Sequence, residues 1–149
     1  MLTTLAKLSR FGFNQHSLTL EDFNTICQTE RIAVVYEDVD SSFYMEVTLN
    51  TEKRKFIVIS KRLTAFETIF TAFHELGHAL LGTPSPARAC FFGLDDTPEE
   101  QMANDFATIA LMPLRSVCNT QAFIESNEVS SLTERMHRRR LWLFEHYGI

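Results

Sequence analysis

The residues best equipped for chemistry are His74 and His78, which stand four positions apart with a carboxylate between them in the run His74-Glu75-Leu76-Gly77-His78. On a helix this spacing sets both imidazoles on one face, one turn apart, where they can hold the same cation. Zinc is the natural candidate, because a catalytic zinc takes His and carboxylate ligands, keeps one position open, and lowers the pKa of its bound water to about 7. Glu75 directly follows the first histidine, so its carboxylate can reach the metal-bound water rather than the metal and act as general base. A third ligand must come from another element. Glu99 and Glu100 are the acidic residues at hand, and Glu100 shares a helical face with Asn104, which could accept a hydrogen bond from a ligand imidazole. Spacing alone leaves Glu100, Glu99 and neither open, since Glu100 also completes a capping box with Thr97 and both carboxylates suit a helix N-terminus.

These residues need rigid supports. Thr64 and Glu67 form a Thr-x-x-Glu start signal ahead of Phe66, Ile69, Phe70, Phe73, Leu76 and Leu80, and Gly82, Pro84 and Pro86 stop the helix that carries the histidines. Gly77 inside that helix implies close approach by another element. A loop over 83–96 leads to a second start, Thr97 as cap and Pro98 in the first turn, for a helix that Pro113 ends. Upstream, Leu2, Leu5 and Leu8 mark a short helix, and Leu20, Phe23, Ile26 and Cys27 mark another capped by Thr19. Strand patterns occupy 31–36, 43–49 and 55–60, with Phe43, Met45, Val47 and Leu49 set inward, and their short polar connections suggest an antiparallel meander. Downstream, 121–125 reads as a weak helix, and Ser131 with Glu134 opens a last one. The fold class is α+β: a small antiparallel or mixed three-stranded sheet packed against the histidine helix, with helices at both ends. The length of 149 residues, without repeats or linkers, fits a single domain over 1–149.

Two stretches together resemble the ImmA/IrrE-type metallo-endopeptidases. One is Phe56-Ile-Val-Ile-Ser60 followed by Phe73-His-Glu-Leu-Gly-His-Ala-Leu-Leu81; the other is Glu100-Gln-Met-Ala-Asn-Asp-Phe-Ala107 with Leu111-Met-Pro113. The resemblance implies a zincin-like fold, one zinc ion held by His74, His78 and Glu100, and Glu75 as general base. It further implies cleavage of a helix-turn-helix repressor. The chain departs from the family's habit at two positions: Gly82 stands where a histidine is common, and Glu67 where a basic residue is common. A sensor or DNA-binding segment of the kind often appended in this family would not fit this length.

Composition narrows the classes. With 45% hydrophobic and 22% charged residues and a net charge of -5, the chain reads as an ordinary globular domain, which argues against direct nucleic-acid binding. Three scattered cysteines, Cys27, Cys90 and Cys118, offer neither a disulfide framework nor a thiolate metal site, and no apolar run reaches membrane-spanning length. The reading is therefore cytoplasmic, with no membrane contact. The basic run Arg135, His137, Arg138, Arg139 and Arg140 reads first as a solvated face and second as a docking surface. The acidic turn Glu37, Asp38 and Asp40 reads as a turn only, and Phe91 and Phe92 as core or pocket lining. Tyr36, Tyr44 and His146 are the residue types able to stabilise an oxyanion. The rivals to a repressor-cleaving endopeptidase are a non-catalytic binding module, acting as antitoxin or regulatory partner, and a hydrolase of small molecules.

Overall fold

The computed structural model describes residues 8–85, 97–114 and 131–149, with Thr4 and Ala6. Leu2, Leu5, Cys90, Phe91, Phe92, Cys118 and the stretch 121–125 lie outside the described residues. After a 3₁₀ turn at Ser9–Phe11 comes α1, Leu20–Thr29, started by a full capping box: Asp22 N–H donates to Thr19 Oγ1 and Thr19 N–H to Asp22 Oδ2. Three strands follow, β1 at Ile32–Glu37, β2 at Phe43–Leu49 and β3 at Glu52–Ser60. Three more helices complete the described chain: α2, Ala65–Leu81, α3, Pro98–Leu111, and α4, Ser131–Tyr147.

The sheet is mixed, with order β1-β3-β2, and this corrects the expected meander. β2 and β3 do form an antiparallel hairpin, turned by Asn50 and Thr51 at φ 49° and 71°, the doubly left-handed pair that matches strand twist. β1, however, lies parallel to β3 on its other side, with Val34 opposite Ile57 and Tyr36 opposite Ile59. The short 37–42 connection therefore passes to the far edge. β3 is the central strand, and its apolar run Phe56-Ile57-Val58-Ile59 buries Ile57 and Ile59 on one face while Phe56 and Val58 on the other stay partly exposed.

Register also reverses the inward face expected for β2. Tyr44 lies opposite Ile57, which is fully buried against the helices, so Phe43, Met45 and Val47 point away with Phe56, Val58 and Val35. Met45 is 40% exposed and Leu49 47%. Polar inner positions of β2 and β3 face the C-terminal end of α2, where Lys55 Nζ donates to the carbonyl of Ala79 at 3.1 Å.

The core gathers around α2. Phe70, Phe73 and Leu76 are buried on it, Phe73 meets Phe23 of α1 edge to face at 5.8 Å, and Phe13 stacks on Phe106 of α3 at 4.9 Å. Each such side chain contributes about 1.5–3 kcal/mol through the apolar area removed from water. That apolar support holds the polar groups of the site in place.

The basic run does not form one face. Arg140 is fully buried, donating from Nε to Met112 O at 2.6 Å, from Nη2 to Asn14 Oδ1 at 2.7 Å, and from Nη1 to Ile149 O. Arg139 makes a bidentate pair with Asp105 of α3, at 2.6 and 2.9 Å, and lies over the Trp142 ring. His137 is buried, and exposed Arg138 pairs with Glu134. The acidic turn is likewise self-contained, because Arg62 reaches both Asp38 and Asp40.

Candidate metal centre

α2 starts where the sequence signals it. Glu67 N–H donates to Thr64 Oγ1 and Thr64 N–H to Glu67 Oε2, so the pitch of the helix is set before it reaches His74. One turn apart, His74 and His78 present their Nε2 atoms 3.2 Å from each other. Both rings are buried, at 6% and 0% exposure. Burying them is tolerable only because their other nitrogens are engaged: His74 Nδ1 donates to Asn104 Oδ1 at 2.9 Å, and His78 Nδ1 meets Thr83 Oγ1 at 2.8 Å.

α3 supplies the carboxylate. Thr97 Oγ1 accepts from Glu100 N–H at 3.3 Å, but the Glu100 side chain does not return to the cap. It turns inward, placing its carboxylate 3.3 Å from His74 Nε2 and 3.0 Å from His78 Nε2. Capping and site building thus use different parts of one residue. Asn104, one turn on, lies on the same face and holds His74. Glu99 is not in the cluster, and among the described residues His74, His78 and Glu100 are the one group of metal-ligating side chains, with ligand atoms within 4.8 Å of one another.

The closeness of α2 and α3 rests on Gly77. A Cβ there would lie 3.2 Å from Ala103 Cα and 3.2 Å from Phe106 Cβ, tighter than ordinary contact, so the glycine lets the helices approach.

With Nδ1 donating to Asn104, a neutral His74 turns its Nε2 lone pair toward the Glu100 carboxylate, and His78 Nε2 points to the same place. Neither Glu100 oxygen has a hydrogen-bond partner despite being buried. Three electron-pair donors aimed at one point require a cation or a proton between them. Two imidazoles and a carboxylate are a donor set suited to zinc. The pKa shifts are those of the proton-filled alternative, in which an imidazole Nε2–H donates to the carboxylate. Burial opposes ionisation of Glu100, yet the two imidazoles outweigh it and hold its pKa down at about 2. For His74 burial pulls the pKa down, but the Glu100 and Glu75 carboxylates and Asn104 reverse the balance and raise it.

Glu75 is 3% exposed, and burial pushes its pKa up, offset in part by His74, Ser85 and His78. Its Oε2 accepts a hydrogen bond from Ser85 Oγ at 2.7 Å. Thr83 and Ser85 are the site residues that sequence reading missed. The available signal was two hydroxyl residues flanking Pro84 directly after the helix stop, which reads as loop composition and nothing more. Residues 82–85 face β2 across an open groove of about 380 Å³ that Tyr44, Met45 and Glu46 also line. Of the three residues named as able to stabilise an oxyanion, only Tyr44 lines this groove; Tyr36 is on β1, and His146 stacks on Trp142 in α4.

Residues 27–121 match the family model described as the IrrE N-terminal-like domain, a peptidase family. The chain belongs to that family. Searches of curated proteins and of solved structures find no match. The IrrE-like match spans β1 to α3 and therefore contains the whole His74, His78 and Glu100 cluster. IrrE-like peptidases are zinc-dependent, in accord with the donor set that α2 and α3 bring together.

Proposed function

We propose that the chain is a zinc-dependent endopeptidase that cleaves a helix-turn-helix transcriptional repressor, with His74, His78 and Glu100 as zinc ligands and Glu75 as general base. The observation that carries this reading is the convergence of His74 Nε2, His78 Nε2 and the unpartnered Glu100 carboxylate. Bound zinc supplies a water of pKa about 7 and a Lewis acid for the scissile carbonyl.

The protein's own groups do the rest. Asn104 Oδ1 accepts from His74 Nδ1–H and so turns the His74 Nε2 lone pair inward, while Thr83 holds the His78 ring at Nδ1. Glu75, whose burial favours the protonated carboxyl, takes a proton from the attacking water and hands it to the leaving amine. β2 is the strand at the groove side of the described sheet, and its outer backbone edge suits an extended peptide laid along the groove. An extended cleft selects a locally unfolded segment of a folded partner, which favours a regulator over bulk protein. A repressor substrate places the reaction in the cytoplasm. A pure binding module has no use for a buried carboxylate beside the two imidazoles, which supports catalysis over scaffolding.

The test is Glu75→Gln, assayed against candidate helix-turn-helix repressors. The variant should retain about one zinc per chain by elemental analysis and lose at least about 100-fold in cleavage rate. Wild-type cleavage by Glu75→Gln would remove Glu75 from the mechanism. Rapid digestion of denatured casein by the wild-type protein would remove the dedicated-repressor reading.

A further inference from the structure

The four residues after α2 reach back to it twice. Gly82 sits at φ 69°, a left-handed conformation that glycine adopts without strain, and the N–H groups of Gly82 and Thr83 both bond to the carbonyl of His78. Those backbone bonds already terminate the helix. The side chains do something further: Thr83 Oγ1 meets His78 Nδ1 at 2.8 Å, and Ser85 Oγ donates to Glu75 Oε2 at 2.7 Å. Pro84 between them fixes its own φ and biases Thr83 toward extended backbone, so two hydroxyls separated by one residue are pre-set to meet two side chains three apart on α2.

Each contact acts on one torsion that matters. An imidazole free at Nδ1 can rotate and change tautomer, and either change takes Nε2 off the common point. A carboxylate held at Oε2 has its plane fixed, which presents the other oxygen in one orientation. A loop that merely closed the helix would need neither hydroxyl.

We propose that residues 82–85 form a positioning strap, in which Thr83 orients the His78 imidazole and Ser85 orients the Glu75 carboxylate. Neither Thr83 nor Ser85 is a catalytic residue. The inference rests on the zinc-peptidase reading of the same site and adds to it two specific positioning contacts.

The experiment uses the full chain and two probes, zinc itself and acetohydroxamic acid. Zinc affinity is read by competition with a chelator. Acetohydroxamate binds zinc and gives a proton to a neighbouring carboxylate, so its affinity for the zinc-loaded protein reads where Glu75 is held. Thr83→Val should weaken zinc binding about 10–100-fold, and Thr83→Ser should restore it. Ser85→Ala should leave zinc affinity unchanged while weakening acetohydroxamate about five-fold, the loss of one hydrogen bond, and Ser85→Thr should restore it. In a Glu75→Gln background, Ser85→Ala should have no effect, because the group it positions is gone. The conservative variants keep the fold intact and separate positioning from stability. Wild-type zinc affinity in Thr83→Val, or wild-type acetohydroxamate affinity in Ser85→Ala, overturns the strap while leaving the metal site standing. A wild-type chain that takes up no zinc overturns both readings together.

Discussion

α3 carries two buried polar clusters on opposite faces, and they are built on opposite terms. On the face toward α4, Asp105 meets Arg139 in a bidentate pair, and just past the helix end Arg140 finds three oxygen acceptors for its guanidinium. On the face toward α2, Glu100 meets two imidazoles at their inward nitrogens, and its own oxygens go unpartnered. One helix therefore holds a closed account of charge and an open one. A matched cluster explains itself by stability alone, whereas an unmatched one persists only if something else arrives to complete it. That contrast separates the structural arginines from the candidate metal centre more sharply than residue type does.

The comparison breaks most visibly if both imidazoles are removed. His74→Ala with His78→Ala should abolish zinc uptake, measured by elemental analysis. Full zinc occupancy in the double variant would place the metal elsewhere. The opposite cluster should behave in the opposite way. Arg140→Ala empties a fully buried position and removes the donors to Met112 and Ile149, and should cost about 3 kcal/mol in denaturant unfolding, with zinc stoichiometry unchanged in the folded fraction. The smallest effect sharpens the boundary between the faces: Asn104→Ala should weaken zinc about 10–100-fold by freeing the His74 ring, while Glu99→Ala, outside the cluster, leaves chelator competition at wild type.

Much of this contrast was legible in the residues. The His74, Glu75 and His78 spacing specifies a shared helical face, and the capping signals at Thr19, Thr64 and Thr97 mark three of the helix starts that the structure shows. Glu100 carried a capping reading and a ligand reading; its backbone N–H is capped, while its side chain leaves the cap and turns toward the two imidazoles. Sheet order was harder. Short connections favour hairpins, so 37–42 suggested one. The face of β2 was misjudged because its outward positions are the more apolar ones, and the inward Tyr44 and Glu46 are polar where they line the groove. The basic run shows the converse error. A string of like charges reads as surface, but Arg139 and Arg140 point inward to acceptors contributed by residues far along the chain, which no local pattern encodes.

Arg140 also sets a clock. Because the chain is made from its N-terminus, α2 with both histidines is complete before Glu100 exists, and the clamp on Met112 and Asn14 cannot close until Arg140 has been added. Between His78 and Arg140 lie roughly sixty residues, about 3–12 s of synthesis at ordinary rates. During that interval the histidine pair stands first without its carboxylate and then without its full support, so the candidate site is complete only late in synthesis.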